Sequence, residues 1–232
     1  MQNDLVSYYA ARAAEYEKLY EKPERQKDLT RLATILQDVF RGKNILEIAC
    51  GTGWWTQRLA LTAQSVLATD INESMLDIAR NKYYTRNNTA FIRDDIFQST
   101  LDQTVEGLFG GFIWSHIPLD QLDGFLTQIR NGVQTGGAIV FIDNLYVPGS
   151  STPVSHSDEG GNTYQTRLLS DGSEHRVLKN FPAPDFLAEK LTTLGNDFEY
   201  RALDYYWLAL VRTGAVGPSK PSKPFLNPLN PF

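Results

Sequence analysis

Residues 45–53, Ile-Leu-Glu-Ile-Ala-Cys-Gly-Thr-Gly, decide the fold. A short apolar run passes straight into a glycine-rich turn, and a helix-compatible stretch begins at Trp54. Strand, tight turn and helix in immediate succession open a βαβ unit. Gly51 and Gly53 let the backbone run close to a ligand where a Cβ would collide. The first turn of the helix that follows offers N–H groups with no intrahelical partner.

Downstream the same rhythm repeats. The pattern predicts strands at Ile45 to Ala49, Val66 to Thr69, Ala90 to Ile92, Phe109 to Trp114 and Ala138 to Asp143. Between them it predicts helices from Trp54 to Leu61, from Glu73 to Lys82 with Asn72 as cap, and from Leu119 to Arg130. The last of these strands is entered through a Gly136-Gly137 turn. A further helix, Pro184 to Leu194, and strands at Phe198 to Leu203 and Tyr206 to Val211 complete the pattern. Such alternation implies right-handed crossovers. The expected fold is a doubly wound α/β domain whose mostly parallel, seven-stranded sheet carries helices on both faces.

Upstream, Ser7 to Tyr20 reads as one helix with Tyr9, Arg12, Ala13 and Tyr16 on one face. A second helix, Arg25 to Phe40, buries Leu29, Leu32, Leu36 and Val39 and is closed by Gly42. Residues 145–162 are rich in Gly, Ser, Pro and Thr and read as a long loop. Thr163 to Leu169 and His175 to Lys179 flank Ser170-Asp171-Gly172-Ser173, a hairpin signal. One domain over 1–213 therefore carries an N-terminal lid helix at 5–20 and an insertion at 145–181, and 214–232 is a proline-rich tail.

Composition narrows the class. With 232 residues, 42% of them hydrophobic, the chain fills one large domain and buries its own core. Cys50 stands alone, which excludes an internal disulfide or a multi-cysteine zinc site and fits a reducing compartment. The start, MQNDLVSYY, carries no signal-peptide pattern, and no apolar run approaches the ~20 residues that cross a bilayer, so a cytoplasmic protein without membrane contact is expected. The net charge of −5 and the lack of any basic run argue against a nucleic-acid partner.

In open parallel sheets, ligands sit beyond the carboxyl ends of the strands. Asp70 ends the second strand nineteen positions after Gly51, the place for a carboxylate that accepts from both hydroxyls of a ribose. Asp94-Asp95-Ile96 follow the third strand, placed to meet an adenine. Two nucleoside-binding readings compete. A nicotinamide oxidoreductase wants G-x-G-x-x-G, but Thr56 stands at the third glycine position, and Trp54 and Trp55 crowd the turn. Glu47 beside the turn repels a diphosphate and suits the cationic end of a sulfonium amino acid. The Gly-Lys-Ser/Thr loop of an NTPase is missing.

ILEIACGTGWWTQRLA resembles the first signature motif of class I S-adenosylmethionine-dependent methyltransferases of the small-molecule type, acidic-x-Gly-x-Gly-x-Gly. Glu47, Gly51 and Gly53 match it, and Ala49 replaces the first glycine. VLATDINESMLDIAR resembles the second motif, which makes Asp70 the ribose carboxylate with Ile71 beside it. FIRDDIF resembles the adenine-contacting motif, with Asp95 in the acidic position and Ile96 next to it. The resemblance covers about residues 5–145 and implies S-adenosylmethionine as cofactor and S-adenosylhomocysteine as product. It also implies that the segment YYAARAAEY lies across the cofactor, with Tyr9 and Tyr16 covering the methionine end and Arg12 pairing with its carboxylate. Ser115 is included in the expected cofactor contacts.

Methyl transfer is an in-line displacement, and a base is needed only if the acceptor arrives protonated. Trp114-Ser115-His116 follow the fourth strand, and His116 is the candidate base. Trp114, His116, Asn144 and Tyr146 are candidate acceptor contacts. No Asn/Asp-Pro-Pro-Tyr follows the fourth strand and no Pro-Cys pair is present, which disfavours nucleobase acceptors. The expected activity is methylation of an O or N atom of a small molecule. A nucleotide-dependent oxidoreductase and a catalytically silent cofactor-binding module are the alternatives. His156, Asp158 and Glu159 lack the spacing of a metal site, and no metal is expected.

Overall fold

A computed structural model describes residues 2–99, 104–169 and 171–214 of the chain. The N-terminal helix α1 (Gln2–Arg12) is followed by a 3-10 run, Ala13–Tyr20, and by α2 (Gln26–Val39). The alternating part comprises β1 (Asn44–Ile48), α3 (Trp54–Leu59), β2 (Ser65–Asp70), α4 (Glu73–Arg80), β3 (Thr89–Arg93), β4 (Val105–Gly111), α5 (Leu122–Asn131) and β5 (Val133–Asn144). Then come β6 (His156–Ser157), β7 (Thr163–Leu168), β8 (Glu174–Leu178), α6 (Pro184–Leu191), β9 (Gly195–Ala202) and β10 (Tyr206–Thr213).

Seven strands form one sheet in the order β3-β2-β1-β4-β5-β10-β9. The first five run parallel, and β10 lies antiparallel to both β5 and β9. The winding direction reverses between β1 and β4, which opens a crevice at the carboxyl ends of β1, β2 and β4. This is the doubly wound fold that the alternation implies. Among the described residues no helix is long and apolar enough to cross a membrane.

The sheet has a core on each face because strand side chains alternate. On β5, Ala138, Val140 and Ile142 pack on one face with Leu29, Leu32, Leu36 and Phe40 of the α2 region. Ile139 and Phe141 pack on the other with Phe125, Leu126 and Ile129 of α5 and Leu187 and Leu191 of α6. Leu36 is fully buried, and truncating such a side chain to alanine costs about 2–5 kcal/mol.

Several boundaries differ from the sequence pattern. The segment read as one helix from Ser7 changes type after Arg12, because Ala13, Tyr16 and Leu19 recur every third residue and all pack inward, the period of a 3-10 helix. The fourth strand ends at Gly111, three residues before Trp114, since Phe112 takes φ +60 and donates its N–H to the Ile142 carbonyl. Trp114–His116 is instead a 3-10 turn. The fifth strand starts at Val133, and Gly136-Gly137 is an irregularity within it. There Gly136 has φ +77, and a Cβ on Gly137 would lie 2.9 Å from two carbonyl oxygens. The helix after the fourth strand begins at Leu122, and Asn72 occupies the cap of α4 without a side-chain bond. The expected loop at 145–162 contains β6, which joins β7 and β8 in a separate three-stranded sheet. The tail reading falls on 215–232, outside the described residues.

Candidate functional site

The turn after β1 shows why glycine is required there. Gly53 has φ +77, and a Cβ on it would lie 2.8 Å from the Tyr84 hydroxyl and 3.0 Å from the Ala79 side chain. Close packing on α4 therefore explains this glycine. Gly51, at φ +57, faces open space apart from the Tyr16 ring at 3.5 Å. Its N–H donates to Asp70 Oδ2 at 2.9 Å, while Asn72 N–H donates to Asp70 Oδ1 at 2.8 Å. Burial raises the Asp70 carboxyl, and the backbone N–H groups of Asn72, Gly51 and Ile71 act against that rise. Asp70 is thus fixed in orientation while its remaining lone pairs face a cavity of about 220 Å³.

Tyr9, Tyr16, Ala49, Gly51, Asp70, Ile71, Asp95, Ile96 and His116 all line this cavity. Burial raises the carboxyl of Asp94, which also lines it. Asp95 Oδ1 accepts the Phe97 N–H at 3.0 Å. Leu5, Val6, Met75, Phe97, Gln98 and Ile113 line the cavity as well, and none was singled out by motif. Met75 reaches the cavity from the buried face of α4.

Four expected cofactor contacts lie elsewhere. Gly53 packs on α4, as described. Glu47 is 1% exposed and lies beneath the turn, off the cavity wall; burial is the main reason its carboxyl is pushed up to about 8. Ser115 is buried in a polar network: its N–H donates to Asp143 Oδ2 at 2.9 Å and its hydroxyl accepts from Lys179 Nζ at 2.6 Å. Arg12 lines a neighbouring chamber, where Nη1 donates to the Tyr8 hydroxyl at 3.2 Å.

That chamber, of about 320 Å³, shares Tyr9, Tyr16, Phe112 and His116 with the cavity. Its other walls come from the N-terminal segment, the insertion and β7–β8, including Arg25, Asn144, Gln165, Arg167 and Lys179. The divider is rigidly tied. His116 Nδ1 donates to the Leu178 carbonyl at 2.6 Å, so Nε2 is the acceptor and takes the Tyr9 hydroxyl proton at 2.8 Å. Burial, then the Lys179 ammonium, hold the imidazole neutral, well below its usual range. Desolvation and the neighbouring Tyr16 raise the Tyr9 phenol. Phe112, in its left-handed conformation, packs edge-on against Tyr206 and near Tyr20 and Trp55.

Lys179 is buried and donates to Asp143 Oδ1 at 2.8 Å. Burial works to raise Asp143, but the Lys179 ammonium and the Ser115 N–H outweigh it and hold the carboxylate low; burial lowers Lys179. Of the expected acceptor contacts, His116 and Asn144 line the chamber. Trp114 is buried edge-on against Phe141 and Trp207, because the strand has already ended. Tyr146 is 44% exposed and packs on Phe181 outside the chamber wall. In the insertion, Asp158 accepts the Tyr164 hydroxyl at 2.8 Å and Asn162 N–H at 2.8 Å, and the His156 ring lies against Tyr164. Among the described residues, no group of three His, Cys, Asp or Glu could hold a metal ion.

The N-terminal segment is latched to the glycine turn. Glu17, in the 3-10 run, accepts the Thr52 hydroxyl at 2.7 Å and pairs with Lys82 beyond α4. Tyr20 stacks on Trp54 with ring centroids 4.2 Å apart. Leu5, Val6, Tyr9 and Tyr16 of the N-terminal segment thereby form part of the cavity wall.

Residues 45–137 match a family model described as a methyltransferase domain. Phosphoethanolamine N-methyltransferase 1 of Zea mays is 27% identical over 141 residues, 59% of this chain and 26% of that protein. An uncharacterised methyltransferase of Bacillus cytotoxicus is 26% identical over 118 residues, 49% of this chain and 53% of that protein. The chain thus matches from about a quarter to about half of the length of these curated relatives. Among solved structures, a DhpI–SAH complex superposes with a TM-score of 0.75 at 29% identity, over 91% of this chain and 96% of that one. A DhpI–SAM–HEP complex superposes with the same TM-score at 28% identity, over 90% and 96%.

Proposed function

The chain belongs to the class I S-adenosylmethionine-dependent methyltransferases, and from that premise we propose that it transfers the cofactor's methyl group to an oxygen or nitrogen atom of a small molecule held in the second chamber. The observation that carries this reading is the shared wall. A ribose-binding carboxylate, fixed by two backbone N–H groups, lines a cavity that meets a second, separately built chamber at Tyr9, Tyr16, Phe112 and His116.

The donor set fits the cofactor. Asp70 offers acceptor lone pairs to two ribose hydroxyls. Ile71, Met75, Ile96 and Phe97 give an apolar slot for an adenine, with Asp95 at its edge. Three carboxyl groups and no lysine or arginine on this wall suit a ligand with a cationic end. When bound, S-adenosylmethionine supplies an activated methyl group on a sulfonium. The chain's own work is to align the two ligands and exclude water. α1 and the 3-10 run do the second, latched by Glu17.

His116 acts here as a positioning residue. Its Nε2 lone pair is taken by the Tyr9 hydroxyl, and the ring is held neutral with little capacity to keep an added proton. It fixes Tyr9 at the junction of the two chambers.

Calorimetric titration tests the reading: S-adenosylhomocysteine should bind at micromolar levels, NADH should not, and Asp70→Ala should weaken binding about tenfold or more. NADH binding in place of the thioether would return the protein to the oxidoreductases. A radiolabelled methyl-transfer screen over metabolite pools then separates an enzyme from a silent cofactor-binding module.

A further inference from the structure

The second chamber is lined by Arg12, Lys18, Lys22, Arg25, Arg167 and Lys179, and by no aspartate or glutamate. The whole chain carries 27 acidic and 22 basic side chains, so this concentration runs against the overall balance. Lys18 and Lys22 are exposed at the rim, Arg12, Arg25 and Arg167 are half-buried, and Lys179 is buried. Of the six, Lys179 alone has a carboxylate within ion-pair distance among the described residues.

The three guanidinium groups are held by neutral partners. Arg25 donates to Ser150 Oγ at 3.1 Å and more distantly to Asn144 and Tyr206, lies over the Tyr205 and Tyr206 rings, and leaves Nε buried without a partner. Arg167 is aimed by Gln165 Oε1, which accepts its Nε at 3.2 Å and its Nη2, while Gln165 Nε2 is anchored on the Thr152 carbonyl. Arg12 lies over the rings of Tyr8 and Tyr16. Neutral hydrogen bonds orient these cations without discharging them. Their field reaches the divider, since Arg167 acts on both Tyr9 and His116 and also on Lys179. Half-buried cations that converge on a cavity without anionic partners form a site for an oxyanion.

We propose that the methyl acceptor is a small acid, and that Arg12, Arg25 and Arg167 grip its phosphate, phosphonate or carboxylate group while Lys18 and Lys22 draw it in. This rests on the methyltransferase reading and names the class of its acceptor. An anionic acceptor also suits the other ligand: the acceptor's charge is opposite to that of the sulfonium across the divider, so each favours binding of the other. The carboxylate of the cofactor itself is a single charge against the five cations that have no carboxylate partner, and the test loads it first.

The test is calorimetric titration of the protein saturated with S-adenosylhomocysteine, at low and constant ionic strength, with inorganic phosphate, acetate and choline chloride in turn. Phosphate or acetate should bind saturably and choline should not; the tighter of the two anions tells a tetrahedral from a planar head group. Arg167→Gln and Arg25→Gln should each weaken the anion about tenfold or more, Arg167→Lys should recover part of the loss, and affinity for S-adenosylhomocysteine should stay within about twofold. Arg41→Gln, on the exposed pair with Asp38 away from the chamber, is the control. Choline binding, anion binding indifferent to both arginine substitutions, no anion binding, or anion binding only when S-adenosylhomocysteine is left out would each overturn the inference. If S-adenosylhomocysteine binds and the anions do not, this inference fails alone. If S-adenosylhomocysteine does not bind, the methyltransferase reading fails with it.

Discussion

Three carboxyl groups and no lysine or arginine line the cavity at the ends of β1 and β2, whereas six cations and no carboxyl group line the chamber on the other side of Tyr9, Tyr16, Phe112 and His116. The cavity is largely a product of the sheet: Ala49, Gly51, Asp70, Ile71, Asp95 and Ile96 follow directly on strand ends. The chamber is assembled from pieces far apart in the chain, with Arg12, Arg25, Arg167 and Lys179 meeting only in the folded state. The fold thus supplies a general place for a nucleoside, and the additions to the fold supply selectivity for a second ligand. Opposite linings in adjoining compartments suit two ligands of opposite charge.

The largest expected effect concerns the floor of the chamber. Lys179→Met leaves the Asp143 carboxylate buried without its cation and should cost about 3–5 kcal/mol in urea denaturation. The double variant Lys179→Met/Asp143→Asn should recover most of that. A cost below about 1 kcal/mol would mean that this buried charge is not held in place by its partner, and the contrast between the compartments would lose its anchor.

Glu47 sharpens the other side, because it lies under the cavity yet does not contribute charge to it at neutral pH. Its carboxyl is pushed up to about 8 from an ordinary 4.5, so within that window the folded protein keeps a proton that the unfolded chain has lost. Stability therefore falls as pH rises from about 4.5 to about 8 and levels off above. Glu47→Gln should remove this slope, matching the parent near pH 4 and exceeding it by about 2–4 kcal/mol at pH 8. Parallel stability profiles for the two proteins would show Glu47 ionised in the fold.

The divider predicts a smaller effect. Tyr9→Phe removes the donor to His116 Nε2 and should cost about 1 kcal/mol in thermal unfolding, with S-adenosylhomocysteine affinity within about threefold because the ring remains. An affinity loss beyond that would mean that the Tyr9 hydroxyl itself, and not only the ring, serves the cofactor. The smallest effect is expected at Ala49, a non-glycine residue at φ +50 on the cavity wall. Ala49→Gly relieves backbone strain but adds freedom to the unfolded chain, for a net gain of about 0.5 kcal/mol. A loss would mean that the Ala49 methyl packs usefully against the cavity.

The sequence by itself determined the doubly wound sheet, the glycine turn at 51–53 and the placing of Asp70 and Asp95. These depend on local order: apolar strands followed at once by turn and helix residues can be read along the chain. Only the tertiary structure decided which neighbours those residues serve. It turned Gly53 toward α4, buried Glu47 and Ser115, ended β4 before Trp114, and set Arg12 on the wall of the second chamber. It also brought Arg25, Arg167 and Lys179 together, and no spacing announces that. The physical reason is range: periodicity and turn chemistry act over a few residues, whereas an electrostatic pocket sums charges from distant segments, which a net charge of −5 conceals.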